Sequence, residues 1–438
     1  MRRLTIALGL VVSAFATMGA QAAPPIQHWK QDNGARVYLV EARELPIVDI
    51  RIVWDAGSAR DSGLPGLARL TNSLLDQGSG EFDADAIALA LESAGARLSG
   101  GSQRDMAYLH LRSLSEDKAL SRAVETISRM LAAPSFSEND LARQRGRMLV
   151  GLRAAEQDPG VLAERAFYRT AYGDHPYATP PQGTEEGLRA ITRDDVAGFY
   201  RDYYTAGNAV VAIVGDIDEQ RARALAHVLT ASLPEGEAAP PLPSVAMPER
   251  TEEITVDFPS TQAHLMLGQP AIARDDPDLH VFYVGNHILG GGGLVSLLTH
   301  AMREERGLSY STSSYFVPSS QPGPFVINTQ VQAERADEAV EVLRELLQEF
   351  LQEGPTADQL EAAKLNITGS FPLNLDSNSD IVGYVSMIGF YGLPLDYLDT
   401  YIEKIEAVEA KDIRRVFQKH LDPERLALIR VGPQAELP

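Results

Sequence analysis

One pattern occurs twice along this 438-residue chain and restricts its architecture more than any other feature. Ile191, Asp195, Val196, Phe199 and Tyr200 lead into an apolar run that ends at Gly215; Val408, Asp412, Ile413, Val416 and Phe417 lead into residues 426–431, ending at Gly432. Asp195 to Gly215 is 20 residues, Asp412 to Gly432 is also 20, and the offset is 217. Ser137-Glu-Asn-Asp-Leu141 resembles Thr356-Ala-Asp-Gln-Leu360 at an offset of 219. Apolar residues three and four apart mark a helix face, and a short unbroken apolar run marks a buried strand. Two such matches at nearly equal offset imply duplicated halves of α+β type. The expected product is a pair of antiparallel-rich sheets, each covered by helices on one face. Residues 233–250 hold five prolines and no periodicity, the composition of a semi-rigid linker. The halves are therefore residues 23–232 and 251–438.

Residues 1–22 read as a secretory leader rather than part of either half. Arg2 and Arg3 form a charged start, residues 4–15 an apolar core, and Ala20-Gln21-Ala22 a small-residue cleavage site. The mature chain is expected to begin near Ala23, in a periplasm or outside the cell. The apolar run is too short to span a bilayer and no later run reaches that length, so no membrane span is expected. The chain has no cysteine, so in an oxidising compartment its stability must come from large cores rather than disulfides. A net charge of −21 leaves no general attraction for nucleic acid, whose phosphates need a basic face.

Gly290, Gly291, Gly292 and Gly293 form the most unusual local feature. A phosphate loop requires Gly-Lys-Ser/Thr, and here Leu294 and Val295 follow the glycines. Four glycines instead suit close approach of backbone, from a peptide or a partner. Leu294, Leu297, Leu298 and Ala301 recur with helical spacing, Arg303 ends that predicted helix, Gly307 breaks the chain, and residues 308–315 are predicted as a strand. Strands are also expected at residues 37–40, 47–54, 108–114 and 209–214, and helices at 84–95, 118–131, 138–156 and 194–204.

The segment Gly63-Leu-Pro-Gly-Leu-Ala-Arg-Leu-Thr-Asn-Ser-Leu-Leu-Asp-Gln-Gly-Ser79 resembles the first active-site segment of the insulinase/pitrilysin (inverzincin) family of zinc peptidases. In that family H-x-x-E-H supplies two zinc-binding histidines and a glutamate that activates water. Here Arg69 and Ser73 stand at the histidine positions and Asn72 at the glutamate; the downstream acidic ligand falls on Val150 or Gly151. No metal is expected at these positions. His300 and Glu304 offer only two ligands, with Arg303 alongside. Gly-Asp-His-Pro at 173–176 and the Val-Gly-Asp at 214–216 also fit the family.

The family's second half carries a glycine loop followed by an arginine and a tyrosine seven apart. Arg303 and Tyr310 in Met302-Arg-Glu-Glu-Arg-Gly-Leu-Ser-Tyr-Ser311 have that spacing. The resemblance implies that they bind substrate and stabilise the transition state. It also implies a non-catalytic subunit with no cofactor of its own. Its expected partner is a homologous H-x-x-E-H subunit holding Zn, the two forming a heterodimer that hydrolyses peptides, with Arg303 and Tyr310 contributed to the partner's site. The alternative is a non-proteolytic peptide-binding or assembly protein of the same fold.

Overall fold

A computed structural model describes residues 25–433; the expected leader and its cleavage site lie outside them. The strands in chain order are β1 (Gln27–Lys30), β2 (Arg36–Glu41), β3 (Ile47–Trp54), β4 (Gly78–Ser79), β5 (Phe82–Asp83), β6 (Arg97–Ser102), β7 (Ala107–Leu114), β8 (Ala209–Gly215), β9 (Glu252–Asp257), β10 (Gln262–Ile272), β11 (Thr312–Phe316), β12 (Gly323–Gln332) and β13 (Ala427–Gly432). The N-terminal sheet has the order β1-β2-β8-β3-β7-β6, and the C-terminal sheet β11-β12-β10-β13-β9.

The duplication extends to the topology. β8 pairs parallel with β2 and antiparallel with β3; β13 pairs parallel with β9 and antiparallel with β10. Read outward from there, β3-β7-β6 corresponds to β10-β12-β11. The repeated Asp195 and Asp412 are helix-capping residues. Asp195 Oδ2 accepts from the Thr192 N–H at 2.8 Å, and Asp412 Oδ2 from the Glu409 N–H at 3.3 Å. Ser137 and Thr356 accept from the third residue of the helices they open, Glu138–Ala155 and Ala357–Ser370. Each satisfies a backbone donor that a helix start otherwise leaves unpaired.

Each sheet has its own half's helices on one face. Val37, Leu39, Ile50, Ile52, Leu109, Val211 and Ile213 form the first such core, and Leu265, Leu267, Phe325, Ile327 and Leu428 the second. The opposite face of each sheet is covered by one helix from the other half. Helix Pro159–Tyr172 lays Ala163, Phe167 and Ala171 against Met266, Val326 and Ile429 of the C-terminal sheet. Helix Asn378–Tyr391 lays Ile381, Val382 and Val385 against Tyr38, Val40 and Val210 of the N-terminal sheet. A fully buried Phe167 alone contributes about 1.5–3 kcal/mol, so this reciprocal exchange fastens the halves together.

Between Ala231 and Glu252 there is no helix or strand. The segment lies against the body: Arg60 donates to the Pro240 carbonyl at 2.7 Å, and the His175 Nε2 lies 2.9 Å from that of Pro243. Among the described residues no helix is long and apolar enough to cross a membrane.

Candidate functional site

Two regions carry the sequence-predicted residues. In the N-terminal half, helix Leu67–Leu74 starts after Gly66, whose φ of 101° favours glycine. The buried Asp61 carboxylate accepts from the Gly66 and Ala68 N–H groups, both at 2.8 Å, and so caps the helix from outside it. Burial pushes the pKa of Asp61 up to about 7, against the two backbone donors that lower it. Leu67, Leu70 and Leu74 face the core, and Arg69 points to solvent.

The side chains at the positions that the resemblance assigns to the zinc ligands do not fit a zinc ion. Arg69 is a cation. Asn72 is buried; its Nδ2 donates to the Tyr108 carbonyl at 3.3 Å and to the Tyr204 hydroxyl oxygen at 3.2 Å. Ser73 Oγ donates to the Leu70 carbonyl at 2.8 Å. On helix Glu138–Ala155, Val150 is exposed and has no ligating atom, and Gly151 has no side chain. Asn72 has become a strut between the helix, β7 and Tyr204.

In the C-terminal half, helix Leu279–Asn286 runs into a wide helical turn, His287–Gly291, that ends at the glycines. A Cβ on Gly290 would lie 2.4 Å from the Ser314 backbone nitrogen of β11, so that close approach is within the chain itself. Asn286 reinforces it, donating to the Ser314 carbonyl at 3.3 Å and accepting from Ser314 Oγ at 2.8 Å. A Cβ on Gly291 or Gly292 would meet Asn286 or His287, one turn back; Gly293 has a φ of +65° and open space around it.

The helix expected from Leu294 begins only at Leu297. Leu294 and Val295 are exposed, and Ser296 caps a new turn whose Oγ accepts from the Thr299 N–H at 3.4 Å. The helical path runs past Arg303 to Glu305 with wide turns, which place Leu298, Ala301 and Met302 inside. The expected strand at 308 begins only at Thr312. Leu308 and Ser309 are instead buried in a loop, with Thr329 Oγ1 donating to Ser309 Oγ at 2.8 Å.

The structure brings Arg303 and Tyr310 together: the guanidinium carbon lies over the phenol ring, 4.7 Å from its centroid. Both line a cavity of about 710 Å³ on the face of the C-terminal sheet that helix Pro159–Tyr172 partly covers. Its other walls include Gly160, Glu164, His264, Tyr315, Asn328 and Gln330. Tyr310 is 83% exposed and has no hydrogen-bond partner among the described residues. Burial holds His264 below its ordinary pKa, so it is a neutral polar group at neutral pH. Sequence reading did not single out Glu164 or His264; neither belongs to a motif, and only the crossing helix brings them to this wall. His300 lies 3.3 Å from Glu305 and 3.7 Å from Glu304, both exposed. β6, with Gly100 and Gly101, is a terminal strand of its sheet.

Comparison with known proteins bears on both regions. Residues 36–185 match the family model described as insulinase (peptidase family M16), and residues 190–367 the one described as peptidase M16 inactive domain. The crystal structure of a peptidase M16 inactive domain from Pseudomonas fluorescens is 38% identical, with a TM-score of 0.90, over 94% of this chain and 98% of that one. A protease structure from Helicobacter pylori shares the fold at 19% identity, with a TM-score of 0.87, over 94% of this chain and 100% of that one. Among curated relatives, an uncharacterized zinc protease of Streptomyces coelicolor is 27% identical over 87% of this chain and 84% of its own length. The non-peptidase homolog YmxG of Helicobacter pylori is 27% identical over 92% and 93%. With both halves matched in order and a 38%-identical structure covered almost end to end, the chain belongs to the insulinase (M16) peptidase family.

Proposed function

We propose that this chain is the metal-free subunit of a two-chain zinc peptidase, presenting Arg303 and Tyr310 to a peptide held by a homologous H-x-x-E-H partner. The observation that carries this is the pairing of an exposed Arg303–Tyr310 stack, on the rim of a peptide-sized cavity, with ligand positions that cannot ligate. A guanidinium and a phenol are hydrogen-bond donors, of use where an oxyanion develops on a scissile carbonyl. Nothing at Arg69, Asn72, Ser73, Val150 or Gly151 supplies the attacking water, so the partner must. The zinc there would supply Lewis acidity and an activated water.

Gly291 and Gly293 are exposed and, having no side chains, leave room for peptide or partner backbone. The outer edge of β6 offers free backbone groups to an extended peptide. The leader expected at residues 1–22 puts the assembly in a periplasm or outside the cell. The name of the Helicobacter relative supports a role without peptidase activity of its own.

That same name favours a second reading, a non-proteolytic peptide-binding or assembly protein. One experiment separates them. The mature chain is purified alone and together with an H-x-x-E-H subunit encoded beside it, and peptide cleavage and metal content are measured for each chain. Cleavage by the mixture alone, with zinc on the partner, supports the peptidase. A stable homodimer that gains no activity with any neighbour supports the second reading.

A further inference from the structure

A cluster of ionisable groups lies outside the cavity beside Arg303. Asp276 and Asp278 occupy the turn between β10 and helix Leu279–Asn286, and His420 closes helix Ala410–His420. Only 8% of the His420 side chain is exposed. Its Nδ1 lies 3.1 Å from the Ala271 carbonyl oxygen, which can only accept, so Nδ1 carries the proton. The other nitrogen, Nε2, is buried and has no hydrogen-bond partner. It faces Asp276 Oδ2 at 3.7 Å and Asp278 Oδ2 at 3.5 Å. One donor atom from each of the three residues falls within 4.8 Å of the others.

These separations discriminate between two arrangements. An N–H···O hydrogen bond spans about 2.7–3.2 Å, so both are too long. Two donors sharing one ion through bonds of about 2.1 Å stand roughly 3.0–3.4 Å apart, which a small adjustment reaches. Asp276 is already oriented for this, because its Oδ1 accepts from the Asp278 N–H at 2.8 Å and leaves Oδ2 toward the imidazole.

The carboxylates already attract cations. Lys419 Nζ lies 2.7 Å from Asp278 Oδ2 and 4.0 Å from Asp276 Oδ2, and Arg415 Nη2 is 3.1 Å from Asp278 Oδ1. Burial raises the pKa of Asp278, but hydrogen bonds from Lys419 and Arg415 outweigh it and bring the value to about 2. The Lys419 and Arg415 side chains are each about half exposed, so either turns out to water at little cost.

We propose that Asp276, Asp278 and His420 bind one first-row divalent cation, of the Zn²⁺ or Mn²⁺ class, and that Lys419 gives way to it. One imidazole nitrogen with two carboxylates suits such an ion better than Mg²⁺ or Ca²⁺, which prefer oxygen throughout. Water completes the coordination on the exposed side. The ion braces the turn after β10 to the end of helix Ala410–His420. This site is separate from the positions that the resemblance assigns to zinc ligands at Arg69–Ser73 and does not depend on the peptidase reading.

The test is calorimetric titration of the EDTA-treated, dialysed mature chain with ZnCl₂ and with MnCl₂, circular dichroism being recorded for every variant. Wild type should bind one ion of at least one metal. Asp276→Asn and His420→Gln should each weaken binding by about ten-fold or more, by loss of a ligand. Lys419→Met should tighten it, by removing the competing ammonium. If the cluster is only a network of ion pairs, neither wild type nor any variant binds metal. The site is overturned by absence of saturable binding to wild type, or by wild-type affinity in Asp276→Asn. The latter variant changes a partly exposed side chain by one atom, so it decides the matter even if His420→Gln does not fold.

Discussion

The Arg303 guanidinium stacks on the Tyr310 ring at 4.7 Å, and Tyr310 is otherwise exposed to solvent. A cation–π contact at such a site is worth only about 0.5–1 kcal/mol, too little to hold the pair against a better ligand. The two side chains are therefore free to part around a peptide carbonyl. Tyr310→Phe keeps the ring and the stack and removes the hydroxyl. Its melting temperature should equal wild type, while cleavage by the two-chain mixture should fall by about two to three decades if the hydroxyl donates to the oxyanion. Equal cleavage rates for the two proteins would remove Tyr310 from the reaction.

Asn72, at the position the resemblance assigns to the family's glutamate, uses its amide nitrogen to donate to both the Tyr108 carbonyl and the Tyr204 hydroxyl. Asn72→Ala leaves those buried groups without their partner, at a cost of about 1–3 kcal/mol. Arg69→Ala and Val150→Ala touch exposed side chains and should stay within about 0.5 kcal/mol of wild type. Urea midpoints of the three variants check the contrast. A midpoint for Asn72→Ala level with the other two would show that the strut contributes nothing.

The duplicated halves were legible because Asp195 and Asp412, Ser137 and Thr356 are caps, and caps are local chemistry. At 69, 150 and 151, positions that the resemblance assigns to zinc ligands, residue type alone carries the reading: arginine is a cation, and valine and glycine have no ligating side-chain atom. The reciprocal exchange of helices was not legible. Ala163, Phe167 and Ala171 announce an apolar face, but periodicity does not name the sheet that covers it. The four glycines were expected to admit backbone of a peptide or partner. For Gly290 the partner is Ser314 of the same chain, a contact between segments that no local pattern specifies. The wide turns from His287 to Gly291 and from His300 to Glu305 depart from the 3.6-residue period, so Leu294 fell on an expected buried face and is exposed.

Asp61 provides a pH signature. Its folded-state pKa, raised by burial to about 7, lies above the unfolded value near 4. The folded state therefore binds the proton more tightly. The resulting stabilisation is complete below about pH 4 and is lost as pH rises to 7, by an amount on the order of a few kcal/mol. Asp61→Asn cannot titrate, so the stability difference between wild type and variant should shrink from pH 4.5 to pH 8. Urea denaturation at those two values measures it; a difference independent of pH would place the folded-state pKa of Asp61 near the ordinary carboxylate range.

Asp105 joins the halves at one buried carboxylate. Oδ1 accepts from the Tyr177 hydroxyl of the N-terminal half; Oδ2 accepts from the Ser320 N–H at 2.8 Å and the Tyr391 hydroxyl at 3.0 Å, both from the C-terminal half. Three donors converge on it, so Asp105→Asn sets an amide N–H₂ against at least one of them. With hydrogen bonds to a charged group worth about 1.5–3 kcal/mol each, the cost should be about 3 kcal/mol or more. Tyr391→Phe removes one donor and should cost about half as much. Because the contacts cross between halves, the loss should also appear locally. Amide exchange at residues 319–321 and around Tyr177 should speed up more in Asp105→Asn than in Tyr391→Phe. Wild-type melting and exchange in Asp105→Asn would mean that the helices Pro159–Tyr172 and Asn378–Tyr391 alone fasten the halves, and that this carboxylate is not part of the clasp.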